Sequence, residues 1–203
     1  AIRRVHDGPA IGPGAMRASD PAPSCPVPAS GCASDAVRMT ERDAQRSKVY
    51  AAEQFVRTLF DRAAQHNSPS IDFFGTQLTL PPEARFGSVG AVQRYVDDVL
   101  SLPVVAARFA PTPLVVRARR GESAAHYENR GGTGTIAVPE RAGSDWALRE
   151  LVVLHEVAHH LCASGGPAHG PIFVETFCEL ASLVMGAEVG HVLRVVYAKE
   201  GVR

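Results

Sequence analysis

The run His155-Glu156-Val157-Ala158-His159 constrains this chain more than any other segment, because its spacing carries meaning only on a helix. There, positions i and i+4 lie one above the other, so His155 and His159 present two imidazoles to a single point. Glu156, one residue on, points about a quarter turn away, where it can reach a water at a metal ion without being a ligand. A fold that uses this pattern must bury the helix and bring a further donor over it. Three protein ligands with an open fourth position make a catalytic zinc site, whereas four make a structural one.

The neighbouring residues agree with a buried helix. Ser144 and Asp145 offer a cap, and Leu148, Leu151, Val152 and Leu154 are apolar at helical spacing, so a helix is expected over about 145–162. For the third ligand, His169 competes with Glu175 and Glu179 on the following helix. His169 is favoured because it follows Gly165-Gly166-Pro167, precedes a glycine, and stands before Pro171, which suits a first helical turn. His160, turned about 100° from His159, reads as a surface residue or a neighbour of the ligands. His6, His66, His126 and His191 have no ligand spacing.

From Leu151 to Phe173, His-Glu-x-x-His followed by a short loop and His-Gly-Pro-x-Phe resembles the SprT-like (Spartan-type) zinc metalloproteases of the zincin superfamily. The stretch from Met39 onward, opening Thr40-Glu41-Arg42-Asp43-Ala44-Gln45-Arg46, is similar to small actinobacterial proteins described as metallohydrolases by this motif. The resemblance implies one zinc ion held by His155, His159 and His169, with Glu156 as general base. It also implies a zincin-like α+β fold, in which a small, twisted, mainly antiparallel sheet packs on helices. Unlike bacterial SprT proteins, the chain has no C-terminal cysteine pairs for a zinc ribbon, which weakens any role on DNA.

Composition narrows the function further. The 203 residues are 45% hydrophobic, enough for a core, and their formal net charge is zero. A balanced charge supplies no field to gather phosphate backbones, and Arg117-Ala118-Arg119-Arg120 reads as a solvated strand end. No apolar run is long enough to cross a bilayer, and no hydrophobic stretch follows Arg3 and Arg4 as in a signal peptide. Cys25, Cys32, Cys162 and Cys178 have neither ribbon spacing nor disulfide density, so reduced thiols and a cytoplasmic location are expected. Cys162, three residues past His159, could approach the metal face but reads as a small buried hydrophobe.

Residues 1–38 are rich in Pro, Ala, Gly and Ser and lack hydrophobic periodicity, so they are expected to be a disordered extension or a start-site artefact, with Met39 the expected start. A zincin-like metallohydrolase domain is then expected over 39–203. Within it, Thr40 to about Gln65 reads as a capped helix with Val49, Ala52, Phe55, Val56, Leu59 and Phe60 inward. A strand over 70–80 and a helix from Ser88 to Leu100, ended by Pro103, follow. Strands are expected at Pro113–Arg119, Ala124–Asn129 and Thr133–Val138, the last two as a hairpin, and helices at about 171–185 and 188–199. Thr133–Val138 is a candidate edge for an extended peptide, with Gly131, Gly132 and Gly134 admitting its backbone.

The chemistry expected is zinc-dependent hydrolysis of a peptide or protein substrate, with Tyr127, His126 and Tyr50 as candidate oxyanion donors. Two rivals remain: a metal-braced binding protein, with Cys162, Glu175 or Glu179 closing the fourth position, and a hydrolase of a small non-peptide amide in a closed pocket.

Overall fold

Element types follow from the spacing of apolar residues, and the computed structural model places most of them where that spacing puts them. The structure describes residues 43–120, 124–130, 132–139, 148–162 and 166–203. The extension over 1–38, the start at Met39, the cap at Thr40, Cys25 and Cys32 lie outside the described residues. In chain order the elements are α1 (Arg46–Gln65), β1 (Ser70–Phe73), β2 (Thr76–Thr79), α2 (Val89–Ser101), α3 (Pro103–Phe109), β3 (Leu114–Arg119), β4 (His126–Arg130), β5 (Thr133–Pro139), α4 (Glu150–Leu161), α5 (Pro171–Val184) and α6 (Ala187–Lys199). The class is α+β. No helix among the described residues is long and apolar enough to cross a membrane.

Four expectations need correction. The strand over 70–80 is a hairpin, β1 pairing antiparallel with β2. Its turn is Phe74-Gly75, both at positive φ, and a phenylalanine in that role gives no turn signal. Pro103 does not simply end a helix: it occupies the first turn of α3, after Leu102 has left helical geometry with ψ 127°. Phe55 is not inward but 42% exposed. The buried arc of α1 instead runs from Leu59 through Ala52, Val56, Val49 and Phe60 to Glu53 and Arg57, and Phe55 falls just outside it at about 100° per residue. The main sheet is mixed, with order β3-β5-β4, β3 parallel and β4 antiparallel to β5.

That order leaves two sheet edges, and they differ. On the β3 side the Gln93 side chain of α2 fills the edge, donating to the Leu114 carbonyl at 3.0 Å and accepting from the Val116 N–H at 2.6 Å. β4 is the other edge and lies against α4.

The motif helix begins later than its capping residues suggest. Residues 140–147 are not described, but Leu148 is in a turn and Arg149 pairs with Arg85 as an isolated bridge, so α4 starts at Glu150. Its N-terminus is fixed from outside. The Leu151 N–H donates to Glu83 Oε1 at 3.3 Å, and the Glu150 carboxylate accepts from the Ala84 N–H at 2.9 Å and the Tyr95 hydroxyl at 2.6 Å. Arg149, 5% exposed, donates to Glu83 through Nε at 2.8 Å and again through Nη2, and to Asp61 at 3.1 Å. The Glu150 N–H donates to the Ala84 carbonyl at 2.9 Å, so the first two orphan N–H groups of the helix are satisfied by Ala84 and Glu83, long-range partners in place of a local cap.

From Leu151 to Ala158 every residue of α4 is buried, which is why the helix carries the core and the motif together. On its far side α5 and α6 approach closely at Gly190, where an added Cβ would stand 2.7 Å from Ser182 Cβ and 2.9 Å from the Cys178 carbonyl oxygen. Alanine there gains about 1 kcal/mol in helix propensity but overpacks by about 1–3 kcal/mol. Gly190→Ala is therefore expected to lower stability by up to about 2 kcal/mol in urea unfolding; a raised midpoint would show that the helices separate freely.

Candidate metal centre

His155 and His159 lie one turn apart on α4, and His169 is brought over them by the loop that ends at Pro171, the first residue of α5. Their ligand nitrogens lie within 4.8 Å of one another. His155 Nε2 is 3.1 Å from His159 Nε2 and 3.3 Å from His169 Nε2. Tetrahedral coordination at a metal–imidazole distance of about 2.0–2.1 Å sets ligand nitrogens about 3.3–3.4 Å apart, and the two spacings that His155 makes agree with this to within a few tenths of an ångström. His155 and His169 are buried and His159 is half-buried.

The outward nitrogens explain why the inward ones converge. His155 Nδ1 donates to Glu53 Oε1 at 2.7 Å, and His169 Nδ1 donates to Asp43 Oδ2 at 2.6 Å. A carboxylate only accepts, so each bond places a proton on Nδ1 and leaves Nε2 as a lone-pair donor. Glu53 is 2% exposed; its Oε1 also accepts from the Tyr197 hydroxyl at 2.9 Å, and its Oε2 lies 3.8 Å from Arg57. α1 starts at Arg46, later than the helix expected from Thr40, and has no side-chain cap; the Asp43 carboxylate before it is turned to His169. Gln45 holds the same loop, donating to the His169 carbonyl at 2.6 Å.

Phe173 packs on all three imidazoles, with ring centroids 4.8 Å from His155, 4.3 Å from His159 and 5.0 Å from His169. Tyr50 stacks on His155 at 5.7 Å, and Tyr127 lies nearly parallel to His159 at 6.4 Å. Sequence spacing gave no access to Asp43, Glu53, Tyr197 or Phe173 as site residues. One signal was available: Glu53 is an acid four residues from Val49 and three from Val56, inside the apolar stripe of α1.

Protonation separates the three ligands. Burial pushes His159 down to about 2, aided by the neighbouring His155 and His169. His169 is also lowered by burial, against the pull of Asp43. Burial opposes charge on His155 too, but the Glu53 carboxylate, its hydrogen bond and Glu156 outweigh it, so its pKa is raised. Glu156, 6% exposed, is raised by burial, while His155 and a hydrogen bond from the Tyr127 backbone N–H act in the other direction. Of the three imidazoles, His155 is the one whose charged form is favoured, by the Glu53 carboxylate beside it.

The other candidates fall into place around this cluster. His160 is a neighbour of the ligands: Nε2 donates to the Thr112 carbonyl at 2.9 Å, which leaves Nδ1 to accept from the Tyr127 hydroxyl at 3.2 Å. His126 is exposed on β4, with its charge felt by Glu156 and His159. Glu179 accepts from Arg108 at 2.7 Å, Glu175 is exposed, and Cys162 bonds to Thr176. Among the described residues no fourth histidine, cysteine or acid joins the cluster.

The expected substrate edge is corrected. Thr133–Val138 lies within β5, the central strand, with both sides paired, so no peptide can add to it. Gly134 serves another purpose: a Cβ there would fall 2.4 Å from His160 Nδ1, so the glycine admits the imidazole that holds Tyr127. β4 is the edge beside the site. The N–H of Tyr127 points outward to Glu156, and strand alternation turns the backbone of Ala125 and Asn129 the same way. Two cavities flank the histidines along α4. One, of about 600 Å³, is lined by Ala125, Val152, His155 and Glu156; the other, of about 330 Å³, by Tyr127, Asn129, His159 and His160.

Compared with known families, with characterised proteins and with solved structures, the chain matches none. What the site can do is therefore argued from its own geometry. Metal binding must displace the proton on His155, whose pKa is raised, so affinity is expected to fall with acidity from a higher pH than an ordinary imidazole would cause. Calorimetric metal titrations in buffers of different ionisation enthalpy should show about one proton released per ion below that pKa. Asp43→Asn is expected to weaken binding by about 10- to 100-fold. Affinity independent of pH, and unchanged in Asp43→Asn, would place the ion elsewhere.

Proposed function

We propose that the protein is a zinc-dependent peptidase of the zincin type, as its resemblance to the SprT-like metalloproteases implies. The observation that carries this reading is the convergence of three imidazoles, with His155 Nε2 3.1 Å and 3.3 Å from the other two Nε2 atoms, Glu156 alongside and no fourth protein ligand among the described residues. Three neutral imidazoles, two of them held by carboxylates, suit zinc. When bound, the ion polarises a carbonyl and acidifies a water.

The protein's own groups supply the rest. Burial raises Glu156 and so makes its carboxylate a stronger base. It takes a proton from the attacking water and delivers it to the leaving amine, and the Tyr127 N–H fixes its position meanwhile. Tyr50, stacked on His155, has a hydroxyl available to a developing oxyanion, whereas the Tyr127 hydroxyl gives its proton to His160 Nδ1. A peptide, in preference to a small amide, is favoured by two cavities in line along the β4 edge, where an extended backbone can pair with Ala125 and Asn129.

Glu156→Gln is the deciding variant. It is expected to retain zinc by elemental analysis and to lose about 10²- to 10⁴-fold in turnover of an unbiased peptide library read by mass spectrometry. Undiminished cleavage by that variant would remove Glu156 from the mechanism. Stoichiometric zinc with no cleavage by the wild-type protein would overturn the peptidase reading.

A further inference from the structure

The larger cavity holds a cation that the mechanism above does not use. Arg57 lines it and is only 8% exposed, yet among the described residues its guanidinium makes one hydrogen bond, to Gln54 Oε1 at 2.9 Å. Its nearest carboxylate, Glu53, stands off at 3.8 Å and is engaged through Oε1 by His155 and Tyr197. A guanidinium carries five N–H donors, and burial of such a cation is costly unless an anion meets it. Burial lowers the Arg57 pKa and Arg149 adds repulsion, against the pull of Glu53, Glu83 and Asp61. At the same cavity Arg46 lies 5.4 Å over the Tyr50 ring, and Tyr50 stacks on His155, so the two cations stand on the side where Glu156 lies.

The direction of a bound peptide follows from β4. Antiparallel addition is the more stable pairing, and it carries the peptide's C-terminal half toward Ala125, at the start of the strand, and thus into this cavity. Glu156, which hands a proton to the leaving amine, lines the same cavity, and the leaving amine belongs to the residue after the scissile bond.

We propose that the cavity of about 600 Å³ beside Glu156 receives the residue following the scissile bond, and that Arg57 and Arg46 select a carboxylate there. The inference rests on the peptidase reading and adds to it a substrate class: peptides with an acidic side chain, or the chain's own C-terminal carboxylate, directly after the cleaved bond.

Matched peptides test it. An N-acetylated, C-amidated alanine pentapeptide with one central glutamate is compared with its glutamine counterpart, and a shortened glutamine peptide with a free C-terminus is compared with its amide. Cleavage is measured on the zinc-loaded full chain, and binding on Glu156→Gln. The acid of either pair is expected to be preferred by about 10- to 100-fold in kcat/KM, with cleavage on the N-terminal side of the acidic residue. Preference in the first pair identifies a side chain, and preference in the second a chain terminus. Arg57→Met should bring the ratio close to one. Because Arg57 is buried, the exposed Arg46→Gln serves as a second variant and should reduce the ratio without affecting folding. Ratios do not depend on the fraction of active protein. Equal cleavage within both pairs would overturn the subsite while the peptidase reading stands. Acid-selective binding that Arg57→Met abolishes, with no cleavage of any peptide, would sink the peptidase reading and keep the carboxylate site.

Discussion

A charge that has no water to solvate it organises this protein: the carboxylate of Glu53, 2% exposed within the interior. Burying it is tolerable because two other elements bring hydrogen-bond donors to it, His155 from α4 and Tyr197 from α6, while Arg57 of its own helix stands farther off at 3.8 Å. Those partners fix the rotation of α1 about its axis, seat α6 on α1, and hold the first ligand at one angle. The core and the histidine cluster are thus one construction. A fault at Glu53 would disturb helix packing and ligand geometry together.

What a linear reading recovers depends on how far apart the cooperating residues lie. Helix positions and the three histidines were legible because their signals are local: turns of 3.6 residues, a proline at a helix start, a glycine-rich loop before His169. The supports were not. Glu53 meets His155 across 102 residues and Asp43 meets His169 across 126, and no spacing rule connects them. The start of α4 was misplaced for the same reason, since Glu83 satisfies the Leu151 N–H across 68 residues and makes a local cap unnecessary. The outer face of α1 failed differently. Counting apolar residues drew the buried arc toward Phe55, whereas the structure turns it toward the polar pair Glu53 and Arg57.

Strand order was the other element beyond reach of local patterns. A hairpin β4–β5 was legible, but the parallel partner on the far side of β5 was not, and it changes which edge faces the site. Gln93 fills the β3 edge with an amide that mimics a backbone pair, leaving β4 as the strand available beside α4. A side chain on a helix thereby decides where an extended ligand can add.

The contact of Phe173 with all three imidazoles has a consequence for which ion the protein can accept. The ring is stacked on His159 with centroids 4.3 Å apart and meets His155 and His169 edge-on, so one side chain braces all three at once. An ion that demands six oxygens in an octahedron, as magnesium does, would meet three nitrogens here in place of those donors. A smaller set of nitrogen donors is what an ion content with four neighbours would use. Were such an ion held, the phenyl ring would resist any swing of the imidazoles to suit a different one.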